Sequence, residues 1–426
     1  MDKGQNIMPG KSFPGFFMFE PLNVYWTLIN CYDMRNLLSL LTVAGALGMT
    51  ACQQSGNSNN NSVDSMSTNQ DSITSIEALV PAANFDSTVQ GKAVKLFYLK
   101  SSGGVQMAVT NYGAKVVALL APDKNGQLAD VELGYDRLSS YIDTKDRYYG
   151  GVVGRYGNRI AKGKFKVDGK EYTLAVNNGQ NHLHGGKVGY NDVVWDAKQP
   201  NDKTVEFHYL SKDGEEGYPG NLDITMTYEL TDSNEFRITY HATTDKATVV
   251  NLTHHSFFNL KGAGNGDIND HVVMINADKF TPVDSGLIPT GKLEPVKGTP
   301  MDFTTPTPVG ERVSADFEQL KLGKGYDHNW VLNKKGNELS LAASVLEPQS
   351  GRYMEVWTTE PGVQFYGGNF MTGDVGKQGK TYVFRGALCL ETQHYPNSPN
   401  QASFPSVVLK PGATYQQTCI YKFGVK

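Results

Sequence analysis

From about Ile73 onward, apolar and polar residues alternate in short runs. Leu222, Ile224, Met226, Tyr228 and Leu230 keep strict period-two spacing, and after Thr231-Asp232-Ser233-Asn234-Glu235 the alternation resumes at Phe236, Ile238 and Tyr240. Residues two apart on a strand share a face, so the pattern predicts a β-hairpin with one buried side. Phe165 and Val167 are joined to Tyr172 and Leu174 through Asp168-Gly169, a pair suited to a two-residue hairpin turn. The habit recurs at 116–120, 205–210, 354–358 and 414–423, while helical candidates are short, as at 315–320. Roughly 25 short strands without βαβ alternation or a blade-length repeat predict an all-β fold, a large antiparallel β-sandwich. No linker-like stretch interrupts the pattern, so a single domain is expected over residues 78–426.

Composition narrows the function classes. The 45 Gly fit a fold rich in turns, and a formal net charge of -4 over 426 residues gives no electrostatic reason to expect nucleic acid as a partner. The four cysteines, Cys31, Cys52, Cys389 and Cys419, show none of the short spacings of a zinc or redox motif. Cys389 and Cys419 lie in apolar runs and read as small core residues.

The start of the chain departs from the alternation. Met34-Arg35, the apolar run Leu37 to Met49 and then Thr50-Ala51-Cys52 read as a secretory signal ending in a lipobox-like site, with Met49 in place of the usual Leu. Cleavage before Cys52 and lipidation of that cysteine are expected. The protein is then exported and held at the cell envelope, periplasm or outer membrane, by a lipid anchor only. Residues 1–33 fit no leader and suggest a mis-assigned start; 34–51 are the signal peptide. Residues 52–77, rich in Ser, Asn, Gln and Asp, cannot bury enough to order themselves and are expected to be a flexible tether.

Several polar clusters could carry chemistry. Gly154-Arg155-Tyr156-Gly157-Asn158-Arg159-Ile160 puts two arginines four apart between glycines, where at least one guanidinium fork could bind oxygens. His182-Leu183-His184-Gly185-Gly186 holds an H-x-H pair that an extended strand would point to one side; it could seed a metal site or be a structural turn, but a sugar-binding or catalytic His is favoured over both. In Asn251 to Leu260 the adjacent His254 and His255 must point oppositely, so one faces a cleft and the other the core; His255 is taken as the cleft member. Tyr326-Asp327-His328-Asn329-Trp330 places a carboxylate and an amide beside an indole that could stack on a sugar or anchor a turn. Leu388-Cys389-Leu390-Glu391 sets a carboxylate in an apolar strand, where its pKa must rise or a partner such as Arg385 must pair with it.

Taken in order, Gly154-Arg155, Asn158-Arg159-Ile160, His182-Leu183-His184-Gly185-Gly186, His255-Ser256, Asn259-Leu260, Asp327-His328-Asn329, Gly362-Val363-Gln364-Phe365-Tyr366 and Leu390-Glu391-Thr392-Gln393 resemble the aldose 1-epimerase (galactose mutarotase) family from about residue 85 to the C-terminus. The resemblance implies a galactose mutarotase-like supersandwich that interconverts the α and β anomers of free aldoses such as glucose and galactose. By position it implies His255 as general acid on the ring oxygen and Glu391 as general base on the anomeric hydroxyl, across one sugar ring. It implies His184 and Arg159 as supports for the sugar and the developing charge, and Asn158, Asp327 and Gln364 as hydroxyl binders. His254 stands where the family often has Asn and Phe257 where it often has Tyr, so a hydrogen bond beside the acid is expected to differ. No metal or other cofactor is required for such chemistry; bound calcium or sodium would be an addition. The only partner expected is a small sugar, and the chain is expected to act as a monomer. The rival readings are a non-catalytic carbohydrate-binding lipoprotein, a glycoside hydrolase using Asp327 and Glu391, and an epimerase of phosphorylated sugars.

Overall fold

The computed structural model describes residue 73 and residues 75–426. The expected leader, the expected lipidation site Cys52 and the expected tether up to residue 72 lie outside the described residues. The expected domain boundary at residue 78 falls inside a short helix, Ile76–Leu79, whose N-cap Ser75 accepts from the Ala78 N–H. Ile76, Leu79 and Val80 form a small apolar face packed with Val94, Ala108 and Val117, so the fold begins before residue 78. Three apolar residues behind a polar tract carry too little periodicity to reveal this in advance.

Two sheets dominate. The larger has nine antiparallel strands in the order Asp196–Asn201, Thr204–Ser211, Leu222–Leu230, Glu235–Thr244, Tyr415–Val425, Arg352–Thr358, Ser340–Leu346, Val272–Ile275 and Thr307–Pro308. The expected hairpin is present, with Leu222 opposite Thr244 and Leu230 opposite Phe236, and it alternates buried and exposed residues. The Asp168-Gly169 turn is present too, with φ of 50° and 78°, the positive values that a tight hairpin turn requires. The C-terminal strand fills the middle of the nine-stranded sheet, so that sheet is complete only when the last residues of the chain are in place.

The smaller sheet has five antiparallel strands, Glu294–Pro295, Lys279–Thr281, Asp327–Val331, Gly362–Tyr366 and Cys389–Gln393, in that order. One face of it, with Trp330, Val363, Phe365 and Leu390, joins the same buried cluster as Ile224, Tyr228, Ile238, Val356 and Tyr421 of the larger sheet. The Tyr421 hydroxyl donates to the Leu390 carbonyl at 2.9 Å and ties the layers together. Burying one large apolar side chain is worth about 1.5–3 kcal/mol, similar to the ~1–3 kcal/mol cost of an unpaired buried polar atom. The apolar face of the small sheet can therefore offset a polar opposite face.

Trp330 belongs to that apolar face. It is fully buried and its indole N–H donates to the Met301 carbonyl at 3.0 Å, so it is a core anchor and not a stacking platform for sugar. The reason is the pleat: Asp327 and Trp330 differ by an odd number of residues and project to opposite sides of the strand. Cys389 and Cys419 are buried free thiols.

Candidate active site

The polar face of the five-stranded sheet forms the floor of a cleft of about 790 Å³. Asp327, Gln364 and Glu391 come from three adjacent strands, with Gln364 directly opposite both Asn329 and Glu391. The Gln364 amide donates to Asp327 Oδ1 at 2.7 Å, and Arg159 Nη2 lies 3.6 Å from Asp327 Oδ2. Gln364 Oε1 and Glu391 Oε2 are buried without a partner among the described residues. Such atoms are costly unless something else supplies hydrogen bonds, and a polyhydroxylated ligand can.

The walls come from three short strands. His255 ends the strand Thr253–His255, which pairs with Gly151–Val153. Arg159 lies on Arg159–Ile160, opposite Leu183 of His182–Leu183. Directly after that strand His184 turns to φ 49°, and Asn158 just before the other has φ 63°. These turned residues lock together: the Asn158 N–H donates to His184 Nδ1 and the His184 N–H to the Asn158 carbonyl, each at 3.1 Å. His184 Nδ1 is therefore an acceptor, which places the proton of the neutral ring on Nε2.

The turn at His184 also separates the H-x-H pair. His182 leaves the cleft for the core, its Nδ1 2.6 Å from the Ala175 carbonyl and its Nε2 2.6 Å from the Tyr218 hydroxyl. The two arginines part as well. Arg159 is in the cleft, with Nε donating to Asn178 Oδ1 at 3.3 Å, whereas Arg155 is buried elsewhere and donates to the carbonyls of Pro219 and Gly220. Arg385 does not pair with Glu391; it lies over the Phe384 ring. His254 is turned into the core, contacting the Tyr228 hydroxyl at 3.2 Å and the Ser256 hydroxyl at 2.8 Å.

His255 and Glu391 are neighbours, with Nε2 and Oε1 3.6 Å apart. The expectation that they face each other across a ring is thereby corrected: they stand side by side, because Glu391 is on the edge strand of the small sheet and that edge abuts the His255 strand. Burial pushes the Glu391 carboxyl well above its usual range; the Asp327 carboxylate adds to this and Arg159 opposes it. Burial lowers His255 to about 4, with Lys115 adding to the effect and Asp327 opposing it. His184 is held well below its usual value, again by burial first and then by His255 and Arg159. These directions favour a proton on Glu391 and neutral imidazoles at His255 and His184.

Two aromatic rings flank the His255 imidazole. Phe257 stacks on it at 4.8 Å and 28°, and Tyr148 at 5.7 Å and 25°. Phe257 has no hydroxyl to offer, and His255 Nδ1 has no partner among the described residues. Tyr148, Asn178, Tyr366, Phe370 and the loop 284–288 also line the cleft, and sequence reasoning did not single them out as site residues. The only available signal for Tyr148 was its place beside Tyr149-Gly150-Gly151.

Among the described residues, His184, His255 and Glu391 each offer one donor atom within 4.8 Å of the others. Two imidazoles and a carboxylate form a donor set suited to zinc or iron(II). An ion held there would occupy the groups that otherwise move protons.

The family model described as aldose 1-epimerase matches residues 95–422. The chain is 45% identical over 336 residues to galactose mutarotase of Homo sapiens, covering 79% of this chain and 95% of that protein. It is 37% identical over 335 residues to aldose 1-epimerase of Escherichia coli (strain K12), covering 78% and 96%. Among solved structures, an aldose epimerase homologue from C. elegans is similar with a TM-score of 0.72 at 30% identity, covering 78% of this chain and 99% of that one. A galactose 1-epimerase from Lactobacillus acidophilus NCFM gives 0.69 at 28% identity, covering 80% and 97%.

Proposed function

We propose that this chain, which belongs to the aldose 1-epimerase family, opens and recloses the ring of a free hexose with Glu391 as base and His255 as acid. The activity is mutarotation, the interconversion of α and β anomers. The observation that carries the residue roles is the 3.6 Å approach of His255 Nε2 to Glu391 Oε1 at the floor of the cleft. O1 and O5 of an aldopyranose are both bonded to C1, so an acid and a base that serve them must be neighbours.

The reaction uses the ionised form of the pair. As sugar hydroxyls enter and donate to Glu391, its charged form is stabilised and the proton passes from Glu391 to His255. Glu391 then takes the proton of O1–H while His255 gives its proton to O5. The C1–O5 bond breaks and C1 becomes an aldehyde. Rotation about C1–C2 presents the other face, and the two groups reverse roles on closure. His184, an Nε2–H donor, and Arg159 stabilise the partial negative charge that moves between the oxygens. Asp327 and Gln364 bind hydroxyls away from C1.

Acid and base together suffice for this chemistry without a metal. Retention of both proton-transfer groups favours catalysis over sugar binding alone. Asp327, held by Gln364 and Arg159, is better placed to bind than to serve as the second carboxylate of a glycosidase. Polarimetry of fresh α-D-glucose and α-D-galactose tests the reading; a rate no faster than the spontaneous one sinks it.

The enzyme is proposed to act as a monomer; size-exclusion chromatography with light scattering checks this. The apolar run before Thr50-Ala51-Cys52 supports export and lipid anchoring at the cell envelope. Radiolabelled fatty acid should enter the protein and be lost in Cys52→Ser.

A further inference from the structure

Lys115 is a buried ammonium that the reaction above does not use. It stands on the strand Lys115–Pro122, is fully buried, and makes no ion pair within 4 Å among the described residues. Its Nζ donates to the Arg147 carbonyl at 2.7 Å and lies 5.9 Å and 5.5 Å from the ring centroids of Tyr112 and Tyr141. The Asn191 amide donates to the same carbonyl at 3.3 Å. The Arg147 side chain holds the segment from outside, through an ion pair with Asp192 and a 2.7 Å bond to the Lys187 carbonyl. The residue that follows is Tyr148, whose carbonyl accepts from the Gly151 N–H at 3.0 Å.

Tyr148 touches both histidines of the cleft. Its ring is nearly parallel to His255, and its centroid is 4.8 Å from that of His184 at 58°. An aromatic face favours a cation beside it, so the placement of this ring bears on the charged form of the acid. We propose that Lys115 is a positioning residue for mutarotation: by gripping the Arg147 carbonyl it seats the Tyr148 ring against His255 and so sets the orientation of the acid. The inference rests on His255 being that acid.

A neutral side chain could fill the same space without the cost of desolvating a charge. Burial lowers Lys115 to about 8, with Asp192 and Asp146 opposing that shift and Arg147 adding to it. Around His255 stand Glu391, His184, Asp327, Tyr148 and Tyr366. Lys115 lowers the pKa of His255 and Asp327 raises it.

The test compares purified wild type, Lys115→Met, Lys115→Gln, Tyr148→Phe, Tyr148→Ala and the Lys115→Met/Tyr148→Ala double variant by polarimetry across pH. Lys115→Met is expected to lower kcat about tenfold or more with KM within about twofold. It should also move the acid limb of kcat/KM to higher pH, since a nearby positive charge is gone. Tyr148→Ala should lose a similar factor, the double variant little more, and Tyr148→Phe should recover about tenfold over Tyr148→Ala because it keeps the ring. A folded Lys115→Met with wild-type kcat and an unmoved acid limb overturns the proposal, as does a double variant whose losses simply multiply. If Lys115→Met does not fold, Lys115→Gln, too short to hold the Arg147 carbonyl, decides: a reduced kcat that Tyr148→Ala does not multiply further supports the proposal, and a wild-type kcat overturns it. His255→Asn separates the two readings, because full activity in that variant removes the acid assignment itself.

Discussion

Gln364 lies directly opposite Glu391 on the neighbouring strand, yet its amide N–H is turned to Asp327. Among the described residues Glu391 Oε2 has no donor, so none of them stabilises its charged form from that side. Hydrogen bonds to a carboxylate hold its pKa down, and their absence here works with burial to keep Glu391 basic once it ionises.

The central prediction concerns the pair itself. Glu391→Gln and His255→Asn should each lower kcat by about 10²–10⁴, the usual worth of a positioned acid or base. Polarimetry measures this, and circular dichroism checks the fold. Full activity in both variants would falsify the assignment.

The pH dependence follows from the directions of the two shifts. Below about 4 His255 takes up a second proton while Glu391 keeps its own, and no base is left. Above the raised value of Glu391 the pair loses its only proton, and no acid is left. The kcat/KM profile should therefore be bell-shaped, with an acid limb near 4 and an alkaline limb well above the ordinary carboxylate range. A profile that rises monotonically with pH would rule out the shared-proton pair.

Asp327 should act on binding more than on chemistry. Asp327→Asn removes the charge that faces Arg159 and alters the partner of the Gln364 amide. KM for galactose should rise about tenfold with a smaller effect on kcat, the signature of lost uniform binding. A large fall in kcat at unchanged KM would count against this role.

Trp330 provides a contrast outside the cleft. Trp330→Phe leaves the buried Met301 carbonyl without its donor and opens a void, a loss of about 1–4 kcal/mol. Denaturant unfolding should register the loss while kcat/KM stays at the wild-type value, whereas an indole that stacked on sugar would give a raised KM.

Metal removal should leave the rate unchanged. The donor trio of His184, His255 and Glu391 could hold a divalent ion, but the same groups suffice as proton carriers. Dialysis against a strong chelator followed by polarimetry checks this; a rate lost to the chelator and restored by zinc would require a different mechanism.

What could be read in advance was local or anomalous. The hairpin at 222–240 was legible because its register follows from alternation and a short turn. Glu391 was legible because a carboxylate in an apolar strand demands a reason. The shared side of Asp327, Gln364 and Glu391 was not, since it depends on strand order and register. The parting of His182 from His184 hinges on one residue with positive φ, which non-glycine residues seldom signal. Tyr148 reaches His255 only through contacts among distant segments, from Lys115 to Asp192, that no local pattern encodes.

The reciprocal bonds between Asn158 and His184 have a consequence for recognition. With Nδ1 engaged, His184 can only give a hydrogen at Nε2 and cannot take one. Where a sugar hydroxyl meets this ring, its lone pairs are read and its proton is ignored. Fluorine in place of that hydroxyl keeps an electronegative atom but carries no hydrogen, so a set of deoxyfluoro sugars would lose least affinity at the position that faces His184, and would map which carbon of the substrate lies there.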